Sequence, residues 1–262
     1  MPVSLQSAER FHHAVLPSTS DTARSYLLQA DPVSLPFVVS ADHQTAGRGR
    51  GENRWFSDSG SLSLTVSFNP AEHGIGPDLE PCICLALAAS LIRSLEEQGD
   101  IKPDQAGIRW PNDLEANGRK FGGLLAERLE CSGMTCIVLG IGLNLTTELD
   151  LAPPAVRRMA TTLAELRPES GSPEQHKQPL ETETYRMLVM RSLESALERL
   201  ARHDQELISD WTKLDLLKDT HVQIQLPQKI ISGTGAGIDQ LGRLKVATPD
   251  GVETLSGGSV LR

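Results

Sequence analysis

Residues Gln44 to Ser57 read QTAGRGRGENRWFS, with three glycines, three arginines and Trp55 in one short stretch. Glycine lets successive backbone N–H groups turn toward one point, so such a loop can line an anion or a polar ligand. Arg48 and Arg50 add permanent positive charge in a forked geometry that suits carboxylates and phosphates. Trp55 is one of only three tryptophans in the chain. A large apolar ring ending a cationic loop is costly to leave in water. Three readings stay open on composition alone: a loop that closes over a ligand, a solvated turn, or an Arg-Gly segment touching RNA. The spacing is not that of a Walker phosphate loop, nor does it open a helix as a dinucleotide fingerprint would.

The second chemical stretch is IRWPNDLEANGRKFGGLLAE, residues 108–127. Pro111 disfavours helix at Trp110, so the chain leaves its strand in a turn. Asn112 and Asp113 fall at that strand end. Asn117-Gly118 is the strongest two-residue hairpin signal, and Lys120 opens the returning strand ahead of Gly122 and Gly123. A carboxylate and an ammonium are thereby brought to one sheet end. Standing alone, the same residues make a surface hairpin with an ion pair worth little.

These groups need a scaffold, and the pattern supplies one. SLSLTVSF (61–68) alternates Leu62, Leu64, Val66 and Phe68 with Ser61, Ser63, Thr65 and Ser67, which predicts a half-buried strand. Strands are also expected at 35–41, 107–110, 120–130 and 135–145. A helix is expected over 79–95, with Pro81 in its first turn. The apolar stripe from Tyr185 to Leu200 predicts a core-facing helix, preceded by a polar, proline-bearing surface connection at 167–181. After Trp211 short strands alternate with Gly-rich turns, giving a small β-barrel over about 217–262. The expected architecture is a mixed α/β main domain, 1–216, followed by a compact β module, 217–262, too small to hold a large core alone.

Composition narrows the classes. A chain of 262 residues with net charge −9 carries no general attraction to nucleic acid. It also has no apolar run near the roughly 20 residues a membrane span needs. The first residues lack the basic start and apolar centre of a secretory signal, so the cytoplasm is the expected location. Cys82, Cys84, Cys131 and Cys136 lack zinc-ligand spacing and read as small reduced core residues. The pair His12-His13 reads as structural or surface, and no protein-held metal site is expected.

Taken in order, GRGR with a following tryptophan, RWPND, GRKFGGLLAE and GIGLN resemble the biotin protein ligases. PSTSDTA (17–23) is similar to that family's Ser-Thr-Asn motif, and GAGIDQLGRL…GGSVLR resembles its C-terminal SH3-like module. The likeness runs from Pro17 to Arg262. It implies a class II synthetase-like mixed-sheet domain with a small C-terminal barrel, and two steps of chemistry. Biotin's carboxylate attacks the α-phosphate of ATP, giving biotinyl-5′-adenylate and pyrophosphate. A lysine of a biotin carboxyl carrier domain, by family expectation that of acetyl-CoA carboxylase, then takes the acyl group.

By resemblance, Arg48 and Lys120 hold the carboxylate and phosphate oxygens, and Asp113 orients the incoming lysine; these three are the catalytic candidates. Ser18, Thr19, Gln44, Gly47, Arg48, Lys120 and Gly123 are expected around biotin. Arg48, Arg50, Trp55, Lys120 and Asn144 are expected around ATP or the adenylate, with Mg²⁺ arriving on the nucleotide. The loop is expected to be mobile when empty. Two departures stand out: Glu52-Asn53 occupy positions where the family has Gly-Arg, and Ser20 replaces the usual asparagine. No DNA-binding domain is expected ahead of the first motif, and neither DNA nor membrane is an expected partner; monomer and homodimer both stay open. The rival within the fold is a lipoate or octanoyl ligase, which is not expected to combine GRGR…W with WPND. A non-catalytic RNA-binding role is disfavoured by the acidic charge and the scarcity of aromatic rings for stacking.

Overall fold

The computed structural model describes residues 4–168 and 180–261; the core of the expected surface connection at 167–181 lies outside them. The elements run β1 (Glu9–Leu16), α1 (Thr19–Leu28), β2 (Phe37–Gln44), β3 (Ser61–Phe68), α2 (Ile83–Glu97), β4 (Ala106–Arg109), β5 (Asp113–Ala116), β6 (Arg119–Cys131) and β7 (Met134–Asn144). Then come α3 (Pro154–Met159), α4 (Leu163–Leu166), α5 (Thr182–Ala201) and α6 (Gln205–Lys213). The chain ends with β8 (His221–Gln225), β9 (Ile230–Ile238), β10 (Leu244–Thr248), β11 (Gly251–Leu255) and β12 (Ser259–Val260).

Seven strands form one mixed sheet in the order β1-β2-β3-β7-β6-β5-β4. Only β1 and β2 run parallel; every other neighbour is antiparallel. The β5–β6 turn is made by Asn117 and Gly118, both at positive φ (52° and 73°), the conformation this dipeptide favours. Leu62, Leu64, Val66 and Phe68 of β3 enter the main core with the apolar side chains of α2 and α5. The predicted stripe Tyr185, Leu188, Val189, Leu193, Ala196, Leu197 and Leu200 of α5 is buried.

One expectation fails in an informative way. β3 is buried on both faces, not half-buried. Its hydroxyl face turns toward α1, where burial is tolerable because Ser61, Ser63 and Thr65 pair, although the buried Ser67 Oγ has no partner. Thr65 Oγ1 donates to Thr19 Oγ1 at 2.8 Å and lies 3.2 Å from Ser20 Oγ. Gln44 Nε2 donates to Ser63 Oγ at 3.1 Å, and Ser61 Oγ lies 2.8 Å from Thr147 Oγ1. Alternating Ser and Thr signalled a polar interior seam, which period-2 patterning cannot tell from a solvated face.

The C-terminal strands form a five-stranded antiparallel sheet, β11-β10-β9-β8-β12. It is tied to the main domain at several points. Ile108 N–H donates to Leu214 O (2.7 Å) and Leu216 N–H to Ile108 O (3.0 Å), so the connecting segment runs beside β4. Trp110 Nε1–H donates to Gly242 O at 2.9 Å. The four cysteines are free and buried or half-buried, with Cys131 and Cys136 Sγ 2.7 Å apart near the β6–β7 turn. His12 pairs with Ser40 and Asp42, and His13 with Tyr26. Among the described residues no group of three metal-ligand side chains occurs, and no helix is long and apolar enough to cross a membrane.

Candidate active site

A cavity of about 390 Å³ opens where α1, the 47–55 loop, the β4–β5 turn and strands β6 and β7 converge. The sheet supplies its floor. At Gly142 a Cβ would lie 2.6 Å from the Trp55 ring, so the indole lies on bare main chain. Gly123 does the same for the Lys120 side chain, with Nζ 3.1 Å from where its Cβ would be. The strand glycines thus make room first for protein side chains.

The loop is itself a small hairpin. Arg48 and Arg54 pair across it, Gly49 N–H donates to Asn53 O at 2.8 Å, and Trp55 N–H to Gly47 O at 2.9 Å. Gly47 does not line the cavity; a Cβ there would strike the Trp55 carbonyl at 2.5 Å. In the structure these main-chain bonds are supplemented by side-chain anchors. Arg50 Nη1 donates to Gly258 O of the C-terminal sheet at 3.0 Å. Arg48 donates Nη1 to Asp21 Oδ1 (2.8 Å) and grips Glu127 with both terminal nitrogens (3.1 and 2.8 Å). Those hydrogen bonds, that to Glu127 foremost, hold the Arg48 pKa above its ordinary value. Its guanidinium is therefore committed to protein carboxylates, where the sequence led us to expect it turned to a ligand.

The other candidates gather as follows. Ser18 caps α1 through its side chain and is buried. Thr19 N–H and Oγ1–H both donate to Gln44 Oε1 (2.9 and 3.2 Å), which orients the Gln44 amide at the cavity wall. Asp113 and Lys120, on either side of the Asn117-Gly118 turn predicted to join their strands, meet at Oδ1–Nζ 2.6 Å, and the ammonium stands 5.6 Å from the Trp55 ring centroid. Asn144 donates to Thr161 O at 3.1 Å. Ser18, Thr19, Gln44, Arg48, Arg50, Trp55, Asp113, Lys120, Gly123 and Asn144 all line the cavity; of the predicted set only Gly47 stands behind it.

Sequence reasoning passed over two parts of the wall. Arg54 lines the cavity, and its signal was its position opposite Arg48 in a hairpin that glycines disguised as a flexible loop. Leu149, Ala155, Val156 and Met159 form an apolar side, written as a short helical spacing in PPAVRRM. Besides Arg48, whose charge Asp21 and Glu127 match, the lining carries four cationic residues, Arg50, Arg54, Arg109 and Lys120, against one carboxylate, Asp113. In a chain of net charge −9 that is a local inversion of sign, suited to an anionic ligand. A hollow with an apolar side, a hydrogen-bonded polar corner and converging cations can bind an amphipathic acid and bring a second anion to it.

Comparison with known proteins agrees in extent as well as in kind. Residues 13–144 match the Biotin/lipoate A/B protein ligase family, and residues 220–262 match the Biotin protein ligase C terminal domain. The chain is 28% identical over 227 residues to the biotin–[acetyl-CoA-carboxylase] ligase of Mycobacterium tuberculosis, covering 86% of this chain and 78% of that protein. It is 27% identical over 253 residues to the bifunctional ligase/repressor BirA of Escherichia coli, covering 94% and 73%. The fold is similar to that of the biotin protein ligase from Aquifex aeolicus solved with biotin and ATP (TM-score 0.77, 22% identity, 97% of this chain and 99% of that one).

Proposed function

Because the chain belongs to the biotin/lipoate A/B protein ligase family, we propose that it activates biotin as biotinyl-5′-adenylate with ATP and transfers the acyl group to a carrier-domain lysine. The observation that carries the reading is the convergence of Lys120, the arginine hairpin and the Ser18-Thr19-Gln44 corner on one cavity. Two anions must be held together in the first step, and fixed cations lower that barrier without reorganising.

Biotin's ureido ring is a polar fork, and Ser18, Thr19 and the Gln44 amide, pre-oriented by its bonds to Thr19 and Ser63, offer it matched donors and acceptors. The Lys120 ammonium spends one donor on Asp113 and keeps two for carboxylate and phosphate oxygens. As the biotin oxygen bonds to the α-phosphorus, the bond to pyrophosphate breaks, and Lys120 with Arg50 stabilises the charge that builds up. Asn144 and the apolar side by Val156 and Met159 border the adenylate. Trp55 with Gly123 lies under the acyl chain and excludes water from the mixed anhydride. In the second step Asp113 orients the carrier's lysine, which attacks the acyl carbonyl as AMP leaves. Arg48 is the exception among the predicted anion ligands, since its guanidinium is held by Asp21 and Glu127.

Mg²⁺ would come on the phosphates of the nucleotide, a mode in which the ion keeps most of its water and needs few protein ligands. The catalytic unit is placed at 1–216 and the C-terminal module at 217–262. The acceptor is a biotin carboxyl carrier domain of the acetyl-CoA carboxylase type, met in the cytoplasm. The match of residues 220–262 to a biotin ligase C-terminal domain favours biotin over lipoate. Side-by-side measurement of pyrophosphate release with biotin and with lipoate tests this: release with biotin alone is expected, and strict use of lipoate rejects it.

A further inference from the structure

The structure shows the Gly-rich loop folded against the cavity and the side chains that hold it there. Arg48 stands near the hairpin's base, opposite Arg54 and next to Gly47, whose carbonyl receives the Trp55 N–H. Fixing the Arg48 side chain therefore fixes the strand that carries Trp55 onto Gly142. Two like charges facing each other across a two-stranded ribbon repel. Here the Arg48 charge is absorbed: Glu127 and Asp21 are matched by Arg48 and by Arg24, whose Nη1 lies 3.9 Å from Glu127 Oε1, so this cluster offers the cavity no net charge.

We propose that Glu127 is a positioning residue that holds the 47–55 hairpin over the cavity through Arg48, whose guanidinium anchors the loop and makes no contact with the reacting atoms. Glu127 is the chief partner and Asp21 the auxiliary one. Glu127 engages both terminal nitrogens in a fork, whereas Asp21 receives one bond. The Glu127 side chain is also only 21% exposed against 53% for Asp21, so water and salt screen it less. Its place on β6, three residues beyond Leu124 in the cavity wall, links the anchor to the same strand that carries Lys120 and Gly123. An arginine read from sequence as a catalytic cation thus becomes the means by which a rigid strand sets the pose of Arg50 and Trp55.

The kinetic half of this inference rests on the ligase reading; the conformational half does not. Ligand-free parent, Glu127→Ala and Glu127→Gln are digested with trypsin, and cleavage after Arg50 and Arg54 is timed. Loss of a forked charge-assisted pair is expected to speed cleavage about tenfold or more in Glu127→Ala, with Glu127→Gln in between because it keeps one acceptor oxygen. Equal rates in parent and Glu127→Ala overturn the anchor. Adenylate formation is then compared in Arg48→Met, Glu127→Met and the double variant. Similar losses, with the double no worse than Arg48→Met, are expected for residues acting as one unit. A Glu127→Met enzyme within about twofold of the parent beside a crippled Arg48→Met places Arg48 on the substrate and ends the proposal. A parent that makes no adenylate sinks the ligase reading, while the trypsin arm still decides the anchor.

Discussion

Lys120 is held at three sides, by Asp113, by the bare main chain at Gly123 and by the Trp55 ring. Replacing it with alanine removes a partly exposed ion pair, which costs the fold little. It also removes a fixed cation at the reacting oxygens, for which a loss of about 10²–10³ in rate is typical. Lys120→Ala is therefore expected to slow pyrophosphate release by that order while Tm moves by no more than a few degrees; turnover near the parent's would remove Lys120 from the chemistry. Arg54 has no ion-pair partner among the described residues and borders the same hollow. Arg54→Ala is expected to raise the KM for ATP several-fold and leave that for biotin unchanged, and steady-state kinetics in each substrate reads the difference. At this scale residue types were legible and their commitments were not. Asp113 with Lys120 could be foreseen because a two-residue turn sets their separation. Arg48 with Glu127 could not, since they stand 79 positions apart and nothing local pairs them.

Strands and helices were legible wherever one face is apolar, as in α5, and wherever a turn has its own chemistry, as at Asn117-Gly118. They were misread where polarity is interior. The hydroxyls of β3 face α1, and the seam they form sets Thr19, Ser20 and Gln44 for the site. A second buried polar group lies in the connecting segment. Asp215 is 7% exposed, and its Oδ2 finds no hydrogen-bond donor while Oδ1 accepts from Leu217 N–H. Desolvation raises its pKa from the ordinary 3.8 to about 6. A raised carboxyl pKa means the folded state prefers the proton. The group then costs nothing below about pH 4, weighs increasingly against folding between pH 4 and 6, and exacts its full penalty above. Asp215→Asn, which cannot ionise, is expected to flatten the fall in Tm across that interval, gaining more against the parent at pH 8 than at pH 5. Parallel Tm curves for the two proteins would show that Asp215 is uncharged or solvated at pH 8.

At the scale of the molecule the acidic chain borders its cationic hollow with both of its sheets. The hairpin of the main domain bonds to Gly258 of the C-terminal sheet through Arg50, and Ser259 and Val260 reach the cavity wall. The order of the domains could be read from the change in texture after Trp211. Their docking could not, because it runs through main-chain bonds such as Ile108 with Leu214 and Leu216, which leave no mark in side-chain patterning. The account as a whole requires that biotin's carboxylate become an acyl donor inside this hollow. Its most direct test is incubation with biotin, ATP, Mg²⁺ and a biotin carboxyl carrier domain, followed by mass spectrometry of the carrier. One biotinyl group on one lysine, dependent on ATP, is the predicted result; an unmodified carrier, or one that accepts only lipoate, would contradict it.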